Sequence, residues 1–159
     1  MGITENLASF VANTNFSGLP KEVREHAKTC ILDWLGAGLA GSLEPPAKIV
    51  TSVIREMGGR KESTIIGTDI KTSCTNAALA NGIIGHTVEL DDIHEESIIH
   101  PAAPVLPAAL AVAERDGASG QDLIASVVLG YEVEIRIGMV VNPSHYQYWH
   151  PTGTCGTFG

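Results

Sequence analysis

Ser119-Gly120-Gln121-Asp122-Leu123-Ile124-Ala125-Ser126-Val127-Val128-Leu129-Gly130-Tyr131-Glu132-Val133-Glu134-Ile135-Arg136-Ile137-Gly138-Met139-Val140-Val141 is the run that decides the fold class. Ser119 with Asp122 three residues later is a capping-box pattern, which satisfies N–H groups that a helix start leaves unpaired. Leu123, Val127, Tyr131, Ile135 and Met139 then step by four, the spacing of one helical face. Glu132 and Arg136 add an i,i+4 ion pair. Asn142-Pro143-Ser144 ends the helix.

The pattern repeats upstream. Pro104 to Arg115 reads as a helix stopped by Asp116-Gly117, and Ser73 to Gly85 as an alanine-rich one with small faces. From Lys21 to Ala40, Val23, Ala27, Cys30, Ile31, Trp34 and Leu35 recur at three- and four-residue steps. Gly36, Gly38 and Gly41 either weaken the end of that helix or permit a close crossing. Pro45 and Pro46 follow Ser42 in the first turn of a further helix, where a missing N–H costs little. Its face is Ile49, Val50, Val53, Ile54 and Met57, and Gly58-Gly59 stops it. Only Ser63-Thr64-Ile65-Ile66-Gly67 has strand character. The expected fold is therefore all-α and bundle-like, with at most one short strand segment and no doubly wound sheet.

Composition narrows the function. With 44% hydrophobic and 18% charged residues, the 159-residue chain is globular and large enough to bury a core. A net charge of -8 without any Lys/Arg-rich run excludes general nucleic-acid binding. No apolar run approaches the roughly 18 residues of a membrane span. Cys30, Cys74 and Cys155 are odd in number and widely spaced, which fits a reducing compartment, and Met1-Gly2-Ile3-Thr4 lacks the pattern of a secretory leader. The expectation is a cytoplasmic protein.

Ionisable residues are concentrated in two places. His86-Thr87-Val88-Glu89-Leu90-Asp91-Asp92-Ile93-His94-Glu95-Glu96-Ser97-Ile98-Ile99-His100 holds three histidines and five carboxylates. His145-Tyr146-Gln147-Tyr148-Trp149-His150-Pro151-Thr152-Gly153-Thr154 forms the second group. Such groups are expensive to pack unless they are solvated, paired or chemically employed. Asp91, Asp92 and His94, with His86 and His100 beside them, have donor types that suit a divalent metal, but their spacing matches no compact ligand motif. For any one of Asp92, Glu95 or Glu96, a solvated acidic loop is the better account.

His100-Pro101 and His150-Pro151 are more pointed. Each proline fixes the preceding imidazole in extended backbone at a helix start. Thr152, Gly153 and Thr154 offer hydroxyl and N–H groups there for a carboxylate. No Gly-Lys-Ser/Thr follows, so this is not a phosphate loop, and Cys155 reads as a packed thiol. An isolated histidine in apolar sequence is more often structural than catalytic; two His-Pro pairs move that balance.

Ala80-Asn81-Gly82, His86, Leu90-Asp91-Asp92, His94, His100-Pro101 and Pro104-Val105-Leu106-Pro107-Ala108 together resemble the MmgE/PrpD family. Asp33-Trp34-Leu35-Gly36, Ser63-Thr64-Ile65-Ile66-Gly67, Leu129-Gly130-Tyr131-Glu132 and His150-Pro151-Thr152-Gly153-Thr154-Cys155-Gly156-Thr157-Phe158-Gly159 match in the same order. The resemblance implies a large helical domain with a separate lid, a homodimer, and a small di- or tricarboxylate substrate. The implied chemistry is a lyase or epimerase reaction, with proton transfer next to a carboxylate and neither metal nor cofactor.

Carried over residue by residue, the family's catalytic positions fall on His100, His150, Asp91 and Asp92. Glu89 stands in the acidic motif where many members have aspartate, and His94 lies where subfamilies differ. Substrate binding is expected at these two and at the helix start of Thr152, Gly153 and Thr154. The resemblance also implies that residues 1–159 are the N-terminal part of the helical domain, without the lid, and inactive alone. A non-catalytic helical interaction module and a metal-dependent hydrolase are the rival readings.

Overall fold

The computed structural model describes residues 2–159. Seven α-helices account for most of them: α1 (Ile3–Asn13), α2 (Lys21–Gly41), α3 (Pro45–Met57), α4 (Cys74–His86), α5 (Ala102–Asp116), α6 (Gly120–Val141) and α7 (Pro151–Cys155). The helical class stands. The strand content needs correction, because two strands form, β1 (Ser63–Thr64) and β2 (Lys71–Thr72), paired antiparallel with Ser63 opposite Thr72. Two residues of Lys71-Thr72 are too short to display alternation.

Side chains from the helices hold this hairpin in place. Asn81 of α4, almost fully buried, accepts from the Ile66 N–H at 2.9 Å and donates to the Thr64 carbonyl at 2.9 Å. Ser63 Oγ donates to the Ala111 carbonyl at 2.6 Å, and the Glu114 carboxylate accepts from the Thr64 N–H and hydroxyl. Backbone groups without a sheet partner thus find one on α4 or α5, as buried polar groups must.

α4 and α5 pack together as the centre of the molecule, with α2 and α6 against them and α3 covering α4. One core cluster joins Trp34 to Ala102, Leu106 and Val127, and another joins Ile54, Ile65, Ala80 and Ile84. Gly41 of α2 and Gly85 of α4 serve the crossing of these two helices. A Cβ at Gly41 would strike the Ile84 carbonyl, and one at Gly85 would strike the Trp34 indole. Truncating Trp34 at the centre of this packing would cost about 3–5 kcal/mol.

α6 is the helix expected from its sequence. Ser119 Oγ accepts from the Asp122 N–H at 3.2 Å while the Asp122 carboxylate accepts from the Ser119 N–H, and Arg136 meets Glu132 at 2.6 Å. α1 has no counterpart in the sequence reading. None of its residues is buried, although Ile3, Leu7, Phe10 and Val11 have the spacing of one helical face. α5 begins at Ala102, two residues before the expected Pro104, for a reason found in the loop before it.

Candidate active site

The segment from Thr87 to Pro101 links α4 to α5 without becoming a helix itself. Glu89 and Ile98 sit at φ 49° and 54°, left-handed backbone that costs a non-glycine residue about 1–2 kcal/mol. His94 and Ile99 form an isolated antiparallel bridge, and the buried Ser97 and Ile99 lie against Gly138 of α6. The Ser97 carbonyl also accepts from the Asn142 side chain. Buried packing at one end and the α4 helix at the other hold the loop in its strained course.

Asp91 and Asp92, neighbours in sequence, point to different surroundings. Asp91 has a fully buried side chain, and His86 Nδ1 lies 3.0 and 3.1 Å from its two oxygens. His100 Nδ1 lies 3.3 Å from the Asp91 carbonyl and 3.8 Å from its carboxylate. The two rings meet edge to face at 4.9 Å. His86 is the last residue of α4, so the end of that helix delivers one imidazole and the loop delivers the other two groups.

Asp92 instead accepts from the Ala102 N–H at 3.0 Å and from the Tyr131 hydroxyl at 2.7 Å. The first bond caps α5 from a distance, which is why the helix starts early. Burial raises the Asp92 carboxyl above its usual range against the lowering effect of those two bonds. Burial also pushes Glu134 up to about 8, with the Asp92 charge adding to the effect. Glu134 is wholly buried and neither of its oxygens has a partner. Burial, then Asp92, raises the Cys30 thiol to about 11 and pushes Tyr131 well above the phenol range.

The second polar group joins the first through Thr152, whose hydroxyl accepts from the His100 N–H at 3.1 Å across 52 positions. His150 is the N-cap of α7, and its Nδ1 accepts from the Gly153 N–H at 3.3 Å. Thr154 Oγ1 pairs with His145 Nε2 at 3.0 Å. Thr152, Gly153 and Thr154 are therefore engaged within the chain. His94 Nδ1 accepts from the Ser97 N–H and lies 2.9 Å from the Ser97 hydroxyl, so its ring folds back on its own loop.

An open cleft of about 710 Å³ unites these elements. His86, Glu89, His150, Thr152 and Gly153 line it, while His100 stands behind, within the Asp91 cluster. His86 is the member that sequence reasoning left outside its site assignments, although it stands in the acidic run and in the family pattern. Tyr131 and Glu134 likewise read only as parts of α6. A separate groove between α2 and α6, lined by Val23, Ala27, Cys30, Val127, Tyr131 and Met139, is mainly apolar and shares no residue with the cleft.

His86, Asp91 and His100 bring one donor atom each within 4.8 Å of one another, a size that also suits a divalent cation. The three residues also form a hydrogen-bonded unit, in which the His86 N–H donates to the Asp91 carboxylate and the His100 N–H to the Asp91 backbone carbonyl. Among the described residues no helix is long and apolar enough to cross a membrane, and all three cysteines are buried and unpaired.

Residues 5–159 match the model of the MmgE/PrpD N-terminal domain. The chain belongs to the MmgE/PrpD family. It is 31% identical over 143 residues to a cis-aconitate decarboxylase-like protein of Aspergillus oryzae, covering 86% of this chain and 30% of the relative. It is 30% identical over 156 residues to the cis-aconitate decarboxylase of Aspergillus terreus, covering 94% and 32%. The human cis-aconitate decarboxylase is 30% identical over 164 residues, covering 99% and 34%. The chain thus spans about a third of the length of the curated relatives it matches.

Proposed function

We propose that this MmgE/PrpD chain carries part of the active site of a lyase, one that removes a carboxyl group or water from a small di- or tricarboxylate. The observation that carries the reading is the buried Asp91 holding two imidazoles beside a cleft that His150 also lines. Breaking a bond next to a carboxylate leaves an electron pair that must take up a proton, and a positioned imidazole performs that transfer. The names of the relatives favour decarboxylation of cis-aconitate over dehydration or epimerisation.

In this reading Asp91 orients His86 and His100, and His150 and Thr152 meet the substrate. Asp92 works at one remove, by fixing the start of α5 and hence Pro101 and His100. No metal enters the proposal, because acid–base groups suffice for the reaction. Self-association as a homodimer through exposed apolar residues such as Leu32, Leu39 and Leu43 completes it.

The test is an assay of the whole protein bearing these residues with cis-aconitate and with 2-methylcitrate, following carbon dioxide and water loss separately. His150→Ala and Asp91→Asn should each abolish most turnover. Wild-type rates indistinguishable from buffer with both substrates would defeat the reading.

A further inference from the structure

Two kinds of hydrogen bond set the two histidines of the cleft in opposite tautomers. A carboxylate only accepts, so the His86 nitrogen at 3.0 Å from Asp91 has to be N–H, which leaves the lone pair on Nε2. A backbone N–H only donates, so the His150 Nδ1 that receives Gly153 has to carry the lone pair, which leaves the proton on Nε2. The carbonyl of Asp91 imposes the His86 pattern on His100 as well. His86 is 30% exposed and lines the cleft, whereas the carboxylate that grips its other edge is fully buried. Its accessible edge is accordingly the one that bears Nε2.

We propose that His86 is a further proton-transfer residue of this cleft, presenting a basic Nε2, while His150 presents an Nε2–H donor to the same substrate. The inference rests on the lyase reading above. For loss of a carboxyl group, His86 Nε2 first takes one proton from solvent. The carbon–carbon bond to the departing carboxylate then breaks, and carbon dioxide leaves. The electron pair of that bond, at its own carbon or at one conjugated with it, forms a new C–H bond with the His86 proton. The ring returns to its Nδ1–H form, and one proton is consumed per carbon dioxide released. His150 donates a hydrogen bond to a substrate oxygen and is not consumed. Asp91 supports His86 throughout, since its carboxylate faces the ring edge opposite the reaction.

Asparagine at position 86 separates chemistry from scaffolding. Its amide nitrogen reproduces the Nδ1 donor to Asp91 but supplies nothing at Nε2. In the whole protein with cis-aconitate, His86→Asn should lower kcat by about 100-fold or more with KM changed less than about threefold. Wild-type kcat in that variant would assign His86 to scaffolding and overturn the proposal. Long-range nitrogen-15 spectra of the histidine rings judge the tautomers without any assay. The expected result is a pyrrole-type Nδ1 for His86 and a pyrrole-type Nε2 for His150, each identified by its loss in the corresponding variant. An Nε2–H form of His86, or a stoichiometric metal retained on its ring after chelation, would overturn the proposal whatever the substrate. Absence of wild-type turnover counts against the lyase reading instead, and the spectra still decide this one.

Discussion

Asp91 and Asp92 are adjacent, chemically identical, and put to different uses. Asp91 is buried with its carboxylate against two imidazoles, each of which reaches solvent on its far side. Asp92 is turned toward α6, with a helix N–H and a phenol as its partners, and its own charge adds to the burial that raises the unpartnered Glu134. The first arrangement sets a buried charge against two partly exposed imidazoles. The second holds its charge against a backbone amide that must not move. Placement in the fold, and not residue type, separates a candidate catalytic group from a structural one.

The largest expected effect lies on the Asp91 side. Asp91→Ala in the whole protein should reduce kcat for cis-aconitate by about 10²–10⁴, the usual contribution of positioned acid–base groups. Asp92→Ala should act mainly on stability. It strands the Ala102 N–H and the Tyr131 hydroxyl, and urea titration should register a loss of about 2–4 kcal/mol. If the two variants exchanged these phenotypes, the division of labour would be wrong.

Glu134 gives the next effect, through pH. Its folded pKa is raised to about 8 from an ordinary value of 4.5, so the folded state prefers the protonated form. The stability from that preference is full below pH 4.5 and is lost as pH rises through about 8. Glu134→Gln should therefore match the wild type near pH 4 and unfold at higher urea than the wild type at pH 8–9. Parallel curves across that range would show that Glu134 has another source of charge compensation. The smallest effect belongs to the exposed Glu132–Arg136 pair on the same helix. Arg136→Ala should change stability by about 0.5 kcal/mol or less, and added salt should erase the difference.

The same comparison explains what the sequence discloses. The helices are legible because apolar periodicity and capping residues are local, as Ser119 with Asp122 and the four-residue steps to Met139 demonstrate. His100, His150 and Asp91 stand out because charged groups in apolar surroundings need a reason. The start of α5 is not legible, since its cap is a side chain ten positions back across an irregular loop. β2 is too short for a period, whereas α1 carries one in Ile3, Leu7, Phe10 and Val11 that no buried residue accompanies. The opposed tautomers of His86 and His150 depend on bonds that only the folded chain brings together.

The crossing of α2 and α4 carries a consequence for the cleft. With no side chain at Gly41 or Gly85, α2 comes against the Ile84 backbone and the Trp34 indole comes against α4. His86 is the next residue after Gly85, so the depth to which α4 seats against Trp34 also sets how far that imidazole projects. A methyl group added at residue 85 would lift the end of α4 like a shim, carrying the ring away from Asp91 without altering any group in the cleft.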